Sequence, residues 1–183
     1  MPDKVAIAVA DGSTRLTYRL LGELASALAR HLEGIGFTRA DTIALYSDNC
    51  PEFVVALLAA WTIGATVAPI GRQLAAAEVD TRLAAIGAAG VLVPRRLRGS
   101  YPADAGAIPA WAVGITAGSQ VDIASIDSRP GPARPSQPGR NSGRDTGLSA
   151  ALLLFTTGST GAPKVVPLTQ ANVAASVSGI RCS

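Results

Sequence analysis

The sequence contains few of the residues that build metal clusters or disulfide frameworks. Two of its 183 residues are cysteines and one is a histidine. Cys50 and Cys182 lie far apart in the chain and match neither a metal-ligand spacing nor a disulfide framework, so we expect a reducing, cytoplasmic location. His31 falls on the polar side of a helical pattern, and because a site needs convergent partners we expect it to be a surface residue.

Lysine is also scarce, since only Lys4 and Lys164 are present and the other positive charges are arginines. The densest basic spots are Arg95, Arg96 and Arg98 and the arginines between residues 129 and 144. No aromatic residues are interleaved with them, which argues against a nucleic-acid partner despite the net charge of +3. We expect these arginines to lie in solvated loops.

Long apolar runs are almost missing. The apolar core of the N-terminal stretch is too short for a secretory signal. Phe53–Ile70 contains 18 residues without a charge, but Gly64 and Pro69 interrupt its second half. A membrane-spanning helix needs about 20 continuous apolar residues. We therefore expect a short buried helix followed by a strand, and no membrane span.

Apolar patterns alternate between strand and helix along the chain. Strands are predicted at Val5–Val9, 41–47, around Val67, Val91–Val93 and 111–115. Helices are predicted after Thr17, where Leu20, Leu24, Leu28 and Leu32 recur, over residues 51–63, and around Val79, Leu83 and Ile86. The alternation predicts an α/β architecture, layered, with a mostly parallel sheet.

Capping residues predict where these helices begin and end. Thr17 has the chemistry to cap the first helix, and Asn49 or Asp48 could cap the second. Gly34 and Gly36 are expected to end the first helix, and Gly64 fits the position after the second. Residues 128–147 are rich in Pro, Gly, Ser and Arg with no apolar residue larger than alanine, so we expect a disordered surface loop there.

The segment "FTTGSTGAPKVVPLT" follows an apolar strand pattern at Leu152–Phe155 and is dense in hydrogen-bond donors. The candidate phosphate-binding residues are Thr156, Thr157, Gly158, Ser159, Thr160, Gly161 and Lys164. Phosphate oxygens need several donors and a positive charge, and glycine lets the backbone approach closely. The Walker A pattern does not match, because Ala162 and Pro163 precede the lysine and Val165 follows it. The dinucleotide pattern of three spaced glycines that open a helix is also absent. We expect strand, loop and strand, with Thr169 capping a helix.

This segment resembles the phosphate-binding motif of the adenylate-forming superfamily, which includes acyl-CoA synthetases, luciferases and peptide-synthetase adenylation domains. Upstream, "RLTYRLLGELASALARHLEGIG" and "NCPEFVVALLAAWTIGATVAPI" resemble two further elements of that family. "KVVPLTQANVAASV" is similar to the branch of small-carboxylate, oxalate-type CoA ligases. The resemblance implies that ATP and a carboxylic acid form an acyl-adenylate, with Mg²⁺ assisting, and that coenzyme A then displaces AMP.

By this resemblance, residues 1–183 form an N-terminal part of the large AMP-binding domain, incomplete, with the remainder of that domain and the C-terminal domain absent. The strands flanking Leu152–Phe155 are then expected to have unpaired edges and exposed apolar faces. Two functions stay open at this point: the front of an acid–thiol ligase, or a truncated, non-catalytic remnant that keeps only the phosphate loop. The acceptor thiol is equally open between coenzyme A and a carrier protein.

Overall fold

The computed structural model describes residues 2–12, 14–102, 108–116, 119–126, 132, 150–156 and 164–181. The strands are β1 (Val5–Ala8), β2 (Arg15–Thr17), β3 (Thr42–Ser47), β4 (Thr66–Gly71), β5 (Gly90–Pro94), β6 (Ala110–Ile115), β7 (Val121–Ser125), β8 (Ala150–Thr156) and β9 (Lys164–Thr169). The helices are α1 (Tyr18–Ile35), α2 (Pro51–Thr62), α3 (Ala76–Ala85) and α4 (Gln170–Arg181), and a 3₁₀-helix covers Arg95–Ser100.

Helix α1 begins and ends where its capping residues predict. The Thr17 side chain accepts a hydrogen bond from the Leu20 amide at 3.2 Å. At the other end Gly36 has a φ of 109°, and its amide donates to the carbonyls of Leu32 and Glu33. The leucines between these ends line the buried face, since Leu21, Leu24, Leu28 and Leu32 are all core residues. The capping by Thr17 and the end at Gly36 are therefore confirmed, whereas Gly34 lies inside the helix and does not end it. His31 is exposed on this helix, as expected.

Helix α2 is not capped as predicted. Cys50, rather than Asn49 or Asp48, is the N-cap residue, and its side chain makes no capping hydrogen bond. The Asp48 carboxylate instead accepts hydrogen bonds from Arg96. A charged partner makes a stronger hydrogen bond than a backbone amide does, so this carboxylate is held away from the helix end.

The uncharged stretch Phe53–Ile70 divides into a helix and a strand, as predicted. Helix α2 ends at Thr62, Gly64 follows with a φ of 77°, and β4 begins at Thr66. A positive φ of this size suits glycine because it has no Cβ to clash with the following carbonyl. Among the described residues, no helix combines the length and the apolar character needed to cross a bilayer.

The central sheet has seven strands in the order β7-β6-β5-β3-β4-β8-β9. Strands β3, β4, β5, β6 and β8 run parallel, while β7 and β9 pair antiparallel at the two edges. The predicted mostly parallel α/β fold is thus confirmed, although β7 was not anticipated. Of the strands that flank Leu152–Phe155, β4 is paired on both sides, whereas β9 is the last strand of the described sheet, so the expected unpaired edge is found at β9 alone. The expected exposed apolar face is also found, since Leu154 of β8 and Val166 of β9 are exposed. A separate small sheet pairs β1 with β2.

Two apolar clusters cover the two faces of this sheet. Side chains alternate along a strand, so Ile43 and Leu45 of β3 enter one cluster while Ala44 and Tyr46 enter the other. The first cluster contains the buried faces of α1 and α2, and the second contains Val79, Leu83 and Ile86 from α3 and its end. Because β4 and β5 lie on opposite sides of β3, right-handed connections place α2 and α3 on opposite faces.

The predicted disordered loop at 128–147 lies outside the described residues, apart from Pro132, and stays a prediction.

Candidate functional site

The parallel strands of the sheet all end at the same edge. Ser47, Gly71, Pro94, Ile115 and Thr156 are the last residues of β3, β4, β5, β6 and β8. In open α/β sheets the crevice outside these carboxyl ends is the usual position of a ligand site. The candidate phosphate-binding segment leaves the sheet at this edge, directly after β8.

Thr156 and Lys164 form a directly opposed cross-strand pair. They are the last register partners of the β8–β9 hairpin, at the end where residues 157–163 join the two strands. Opposed residues of an antiparallel pair point to the same face, with Cβ atoms about 4.5–5.5 Å apart. Both residues are exposed. The hairpin therefore places a hydroxyl and an ammonium group side by side, at the two ends of the segment that joins the strands.

Of the seven candidate residues, the structure describes Thr156 and Lys164. Thr157, Gly158, Ser159, Thr160 and Gly161 lie outside the described residues, and their roles stay predictions. The two strands of the expected order of strand, loop and strand are confirmed as β8 and β9, and the loop between them stays a prediction.

The base of the hairpin is tied to the neighbouring elements by side chains. The Trp61 indole Nε1 of α2 donates to the Ala151 carbonyl at 2.8 Å. The Thr66 hydroxyl of β4 donates to the Ala150 carbonyl at 2.7 Å. These two bonds hold consecutive carbonyls of β8, beside the point where Val67 and Leu152 are partners in the β4–β8 ladder.

The same end of the hairpin is also ordered by the start of α4, since Thr169 is the register partner of Ala150. The Thr169 hydroxyl accepts a hydrogen bond from the Asn172 amide at 3.2 Å, and the Thr169 amide donates to the Asn172 Oδ1 at 2.9 Å. This reciprocal arrangement is a capping box with asparagine in the position of the usual glutamate or glutamine. The prediction that Thr169 caps a helix is confirmed.

A charged cluster that the sequence analysis missed lies at the same edge of the sheet. Asp48, just after β3, bonds to Arg96, with Nη1 3.2 Å from Oδ2, and to Arg72, with Nε 3.4 Å from Oδ2. The hydrogen bond from Arg96 is the main cause that lowers the pKa of Asp48, and the same bond raises the pKa of Arg96. The cluster joins the residues that follow β3, β4 and β5.

Arg95 and Arg96 are not in a loop, contrary to the prediction, because residues 95–100 form the 3₁₀-helix. Arg95 pairs with Asp122 of β7 and Arg96 with Asp48, although both arginines are largely exposed. Each carboxylate comes from a distant part of the chain, so the sequence spacing carried no sign of either pair.

Tyr46 reinforces this edge from within the core. Its hydroxyl lies 3.0 Å from the Arg72 carbonyl and 3.1 Å from the Ser100 carbonyl, so its one proton is shared between two acceptors. Burial raises the pKa of Tyr46. Its ring packs edge-on against Tyr101 with centroids 5.2 Å apart. The segments after β4 and β5 are thereby fixed to each other.

The whole chain, residues 1–183, matches the family model described as AMP-binding enzyme. The chain belongs to the AMP-binding enzyme family. The resemblance found in the three sequence motifs is thus confirmed over the full length of the chain.

Curated members of the AMP-binding family from several branches are similar to this chain. The N-(5-amino-5-carboxypentanoyl)-L-cysteinyl-D-valine synthase of Amycolatopsis lactamdurans is 34% identical over an alignment of 177 residues that covers 94% of this chain and 4% of the synthase. The oxalate–CoA ligase of Arabidopsis thaliana is 32% identical over 193 residues, covering 98% of this chain and 35% of the ligase. The identities are nearly equal, so they do not single out one branch.

The solved structure of VinN shares the fold, with a TM-score of 0.73 over 100% of this chain and 46% of VinN at 20% identity. The chain accordingly spans 4% to 35% of the two curated relatives and just under half of this structural neighbour.

Proposed function

We propose that this chain supplies the ATP phosphate-binding part of an enzyme that activates a carboxylic acid as an acyl-adenylate. The observation that supports this most directly is the opposed Thr156–Lys164 pair at the carboxyl edge of the sheet. The pair brackets the donor-rich residues 157–163 in a chain that matches the AMP-binding model over its whole length. A hydroxyl, a cation and glycine-rich backbone together suit a polyphosphate.

In the proposed reaction a carboxylate oxygen of the substrate attacks the α-phosphorus of ATP. The bond from that phosphorus to the oxygen bridging to the β-phosphate breaks, and pyrophosphate leaves. Lys164 and Thr156, with Thr157, Gly158, Ser159, Thr160 and Gly161, hold the β- and γ-phosphates while the charge shifts onto pyrophosphate. Because the substrate itself is the nucleophile, these residues act by positioning and by charge stabilisation.

Thioester formation is the second half of the proposal. The thiol of coenzyme A attacks the acyl carbon of the adenylate, and AMP leaves. The similarity to a protein whose name is oxalate–CoA ligase supports coenzyme A as the acceptor. The similarity to a peptide synthase at 34% identity supports a carrier-protein thiol instead. We favour coenzyme A because the segment after Lys164 resembles the oxalate-type branch.

The family implies a Mg²⁺ ion, but the described part of the chain contains no cluster of side chains that could bind it. No group of three or more His, Cys, Asp or Glu there could hold a metal ion. We assign Mg²⁺ no step in the mechanism, since magnesium in such sites is bound largely through substrate phosphates and water. The incomplete AMP-binding domain over residues 1–183 and the cytoplasmic location remain part of the proposal.

Lys164 allows a sharp test, because Lys4 is the other lysine of the chain and is a matched control. Losing the charge-assisted hydrogen bonds of Lys164 costs about 1.5–3 kcal/mol, a roughly ten- to hundredfold weaker affinity for ATP. We expect Lys164→Ala to show this loss in calorimetric titration with Mg·ATP, while Lys4→Ala binds as the parent does. Equal affinities for the two variants would contradict the proposed role of the loop.

The catalytic half of the proposal needs a second assay. Carboxylate-dependent exchange of labelled pyrophosphate into ATP, by the polypeptide that contains this chain in the source cell, is the expected result. ATP binding without exchange, across a panel of short and aromatic carboxylates, would favour the non-catalytic remnant.

A further inference from the structure

The tip of the β8–β9 hairpin, defined here as Phe155, Thr156, Lys164 and Val165, lies beyond the point where β8 is tied to β4. The β4–β8 ladder partners are Val67 and Leu152. From there outward, β8 pairs with β9 as far as Thr156 and Lys164. The orientation of the tip relative to the rest of the sheet thus depends on what its side chains contact.

One face of this tip rests against α3. Phe155 and Val165 are register partners, and both pack against the apolar cluster that contains α3. Above the Phe155 ring lies the Arg82 guanidinium of α3, with its central carbon 5.0 Å from the ring centroid. The opposite face of the hairpin carries Thr156, because side chains alternate along a strand. Arg82 therefore supports the tip from behind.

Arg82 is itself held in place. Its Nη2 lies 2.7 Å from Oε1 of Glu78, one turn earlier on α3, and its side chain is 13% exposed while that of Glu78 is 46% exposed. A planar guanidinium stacks on an aromatic face and still donates in its own plane. The ion pair thus sets the position of the cation over the Phe155 ring.

This arrangement is a costly way to support an aromatic ring. The Arg82 Nε is buried and has no hydrogen-bond partner among the described residues. Burying an unpaired donor of a charged group is unfavourable, and an apolar side chain of similar volume would avoid that cost but would lack the attraction between the cation and the ring. The cation therefore contributes mainly to holding the ring, and with it the tip, in one position.

We propose that Arg82 is a positioning residue that holds the hairpin tip, and with it the Thr156–Lys164 pair, in the orientation that receives a polyphosphate. The identity of the ligand rests on the proposed function, whereas the support of the tip rests on the contacts of Arg82 alone. Arg82 is not a catalytic residue in this proposal, because it lies behind the donor pair.

Backbone hydrogen exchange in the 183-residue chain tests the support directly. Arg82→Met keeps an apolar side chain against Phe155 but removes the cation, so the tip amides should exchange roughly 2- to 30-fold faster. Arg82→Lys keeps a cation near the ring and should stay within about threefold of the parent. The control is Arg19→Met, which removes an arginine that is 61% exposed and paired with Asp3 on the surface.

Two results of this experiment would overturn the proposal. The first is unchanged exchange at the tip in Arg82→Met. The second is faster exchange by the same factor in β3 and β5, which would show a general loss of stability. If Arg82→Met does not fold, Phe155→Leu removes the ring from the other side, and unchanged tip exchange in that variant is equally decisive.

A ligand readout separates this proposal from the proposed function. Affinity for inorganic tripolyphosphate is measured in the parent, Lys164→Ala and Arg82→Met. Weaker binding in both variants supports both proposals. If Lys164→Ala binds like the parent, the proposed function fails and the exchange data still decide the role of Arg82. If Lys164→Ala weakens binding while Arg82→Met does not, the positioning role is refuted.

Discussion

The hydroxyl of Thr66 offers a way to measure how firmly the candidate site is anchored. Thr66 is 7% exposed on β4, and its hydroxyl donates to the Ala150 carbonyl at 2.7 Å, at the start of β8. Thr66→Val keeps the shape of the side chain, removes the donor and leaves that carbonyl short of a partner. The loss of this hydrogen bond and the burial of an unsatisfied carbonyl together lower the free energy of unfolding by about 1–2 kcal/mol. For a chain of this size the melting temperature should fall by about 2–8 °C.

Thr62 provides the matched control for this change. Its hydroxyl donates to the Leu58 carbonyl at 2.8 Å, almost the same distance, but on an exposed face of α2. Water can replace that bond, so Thr62→Val should change the free energy of unfolding by less than about 0.5 kcal/mol. The comparison isolates burial, because both variants make the same chemical change.

Urea unfolding measures the free energy of unfolding of both variants, provided that its slope against urea concentration is the same in each. Hydrogen exchange at the amides of Ala150 to Leu153 reports whether the loss of stability is local to β8. Trp61→Phe removes the hydrogen bond to the adjacent Ala151 carbonyl and should show a coupling to Thr66→Val in a double-mutant cycle. If Thr66→Val costs no more than Thr62→Val, the hydrogen bond does not anchor β8 and this reasoning is wrong.

Two further predictions concern stability. The pKa of Asp48 is lowered, mainly by the hydrogen bond from Arg96, so the charged carboxylate is favoured in the folded state. The contribution of this carboxylate to the free energy of unfolding is therefore fully present above its ordinary pKa of about 4. That contribution is lost as the pH falls through the lowered pKa. The stability advantage of the parent over Asp48→Asn should therefore shrink as the pH falls below about 4 in urea unfolding, and an advantage independent of pH would contradict the pairing. Gly22→Ala should stabilise α1 by about 0.5–1 kcal/mol, because nothing lies within 4 Å of the added Cβ. Gly64→Ala should destabilise the fold by about 1–2 kcal/mol, because Gly64 has a φ of 77° and the added Cβ would lie 3.1 Å from the Cβ of Arg39. Equal melting temperatures for Gly22→Ala and Gly64→Ala would refute this contrast.

Much of the fold could be predicted because its signals are local. Leucine spacing, the Thr17 cap and Gly36 mark α1 within a single stretch of chain. The alternation of strand and helix likewise predicted the parallel sheet, since parallel strands need long connections. Strand β7 was missed because none of its residues is fully buried, so its apolar pattern is weak.

The candidate site divides in the same way. Thr156 and Lys164 were found from the density of donors between two apolar runs, a pattern visible within the motif itself. The support for that site was not visible, because Arg82 and Trp61 come from helices remote in sequence. Neither residue type is unusual in a helix, so only the contact with β8 reveals its role.

The sequence alone determined most of the secondary structure and the family, and it supplied the proposed phosphate-binding segment, because these depend on residues that are neighbours along the chain. The tertiary structure decided which strands are neighbours and which charges meet. It placed β8 between β4 and β9, and it brought Asp48 to Arg72 and Arg96 at the sheet edge. Such contacts depend on the spatial order of the strands on either side of β3. That order is set by the packing of the whole sheet, and no short stretch of sequence specifies it.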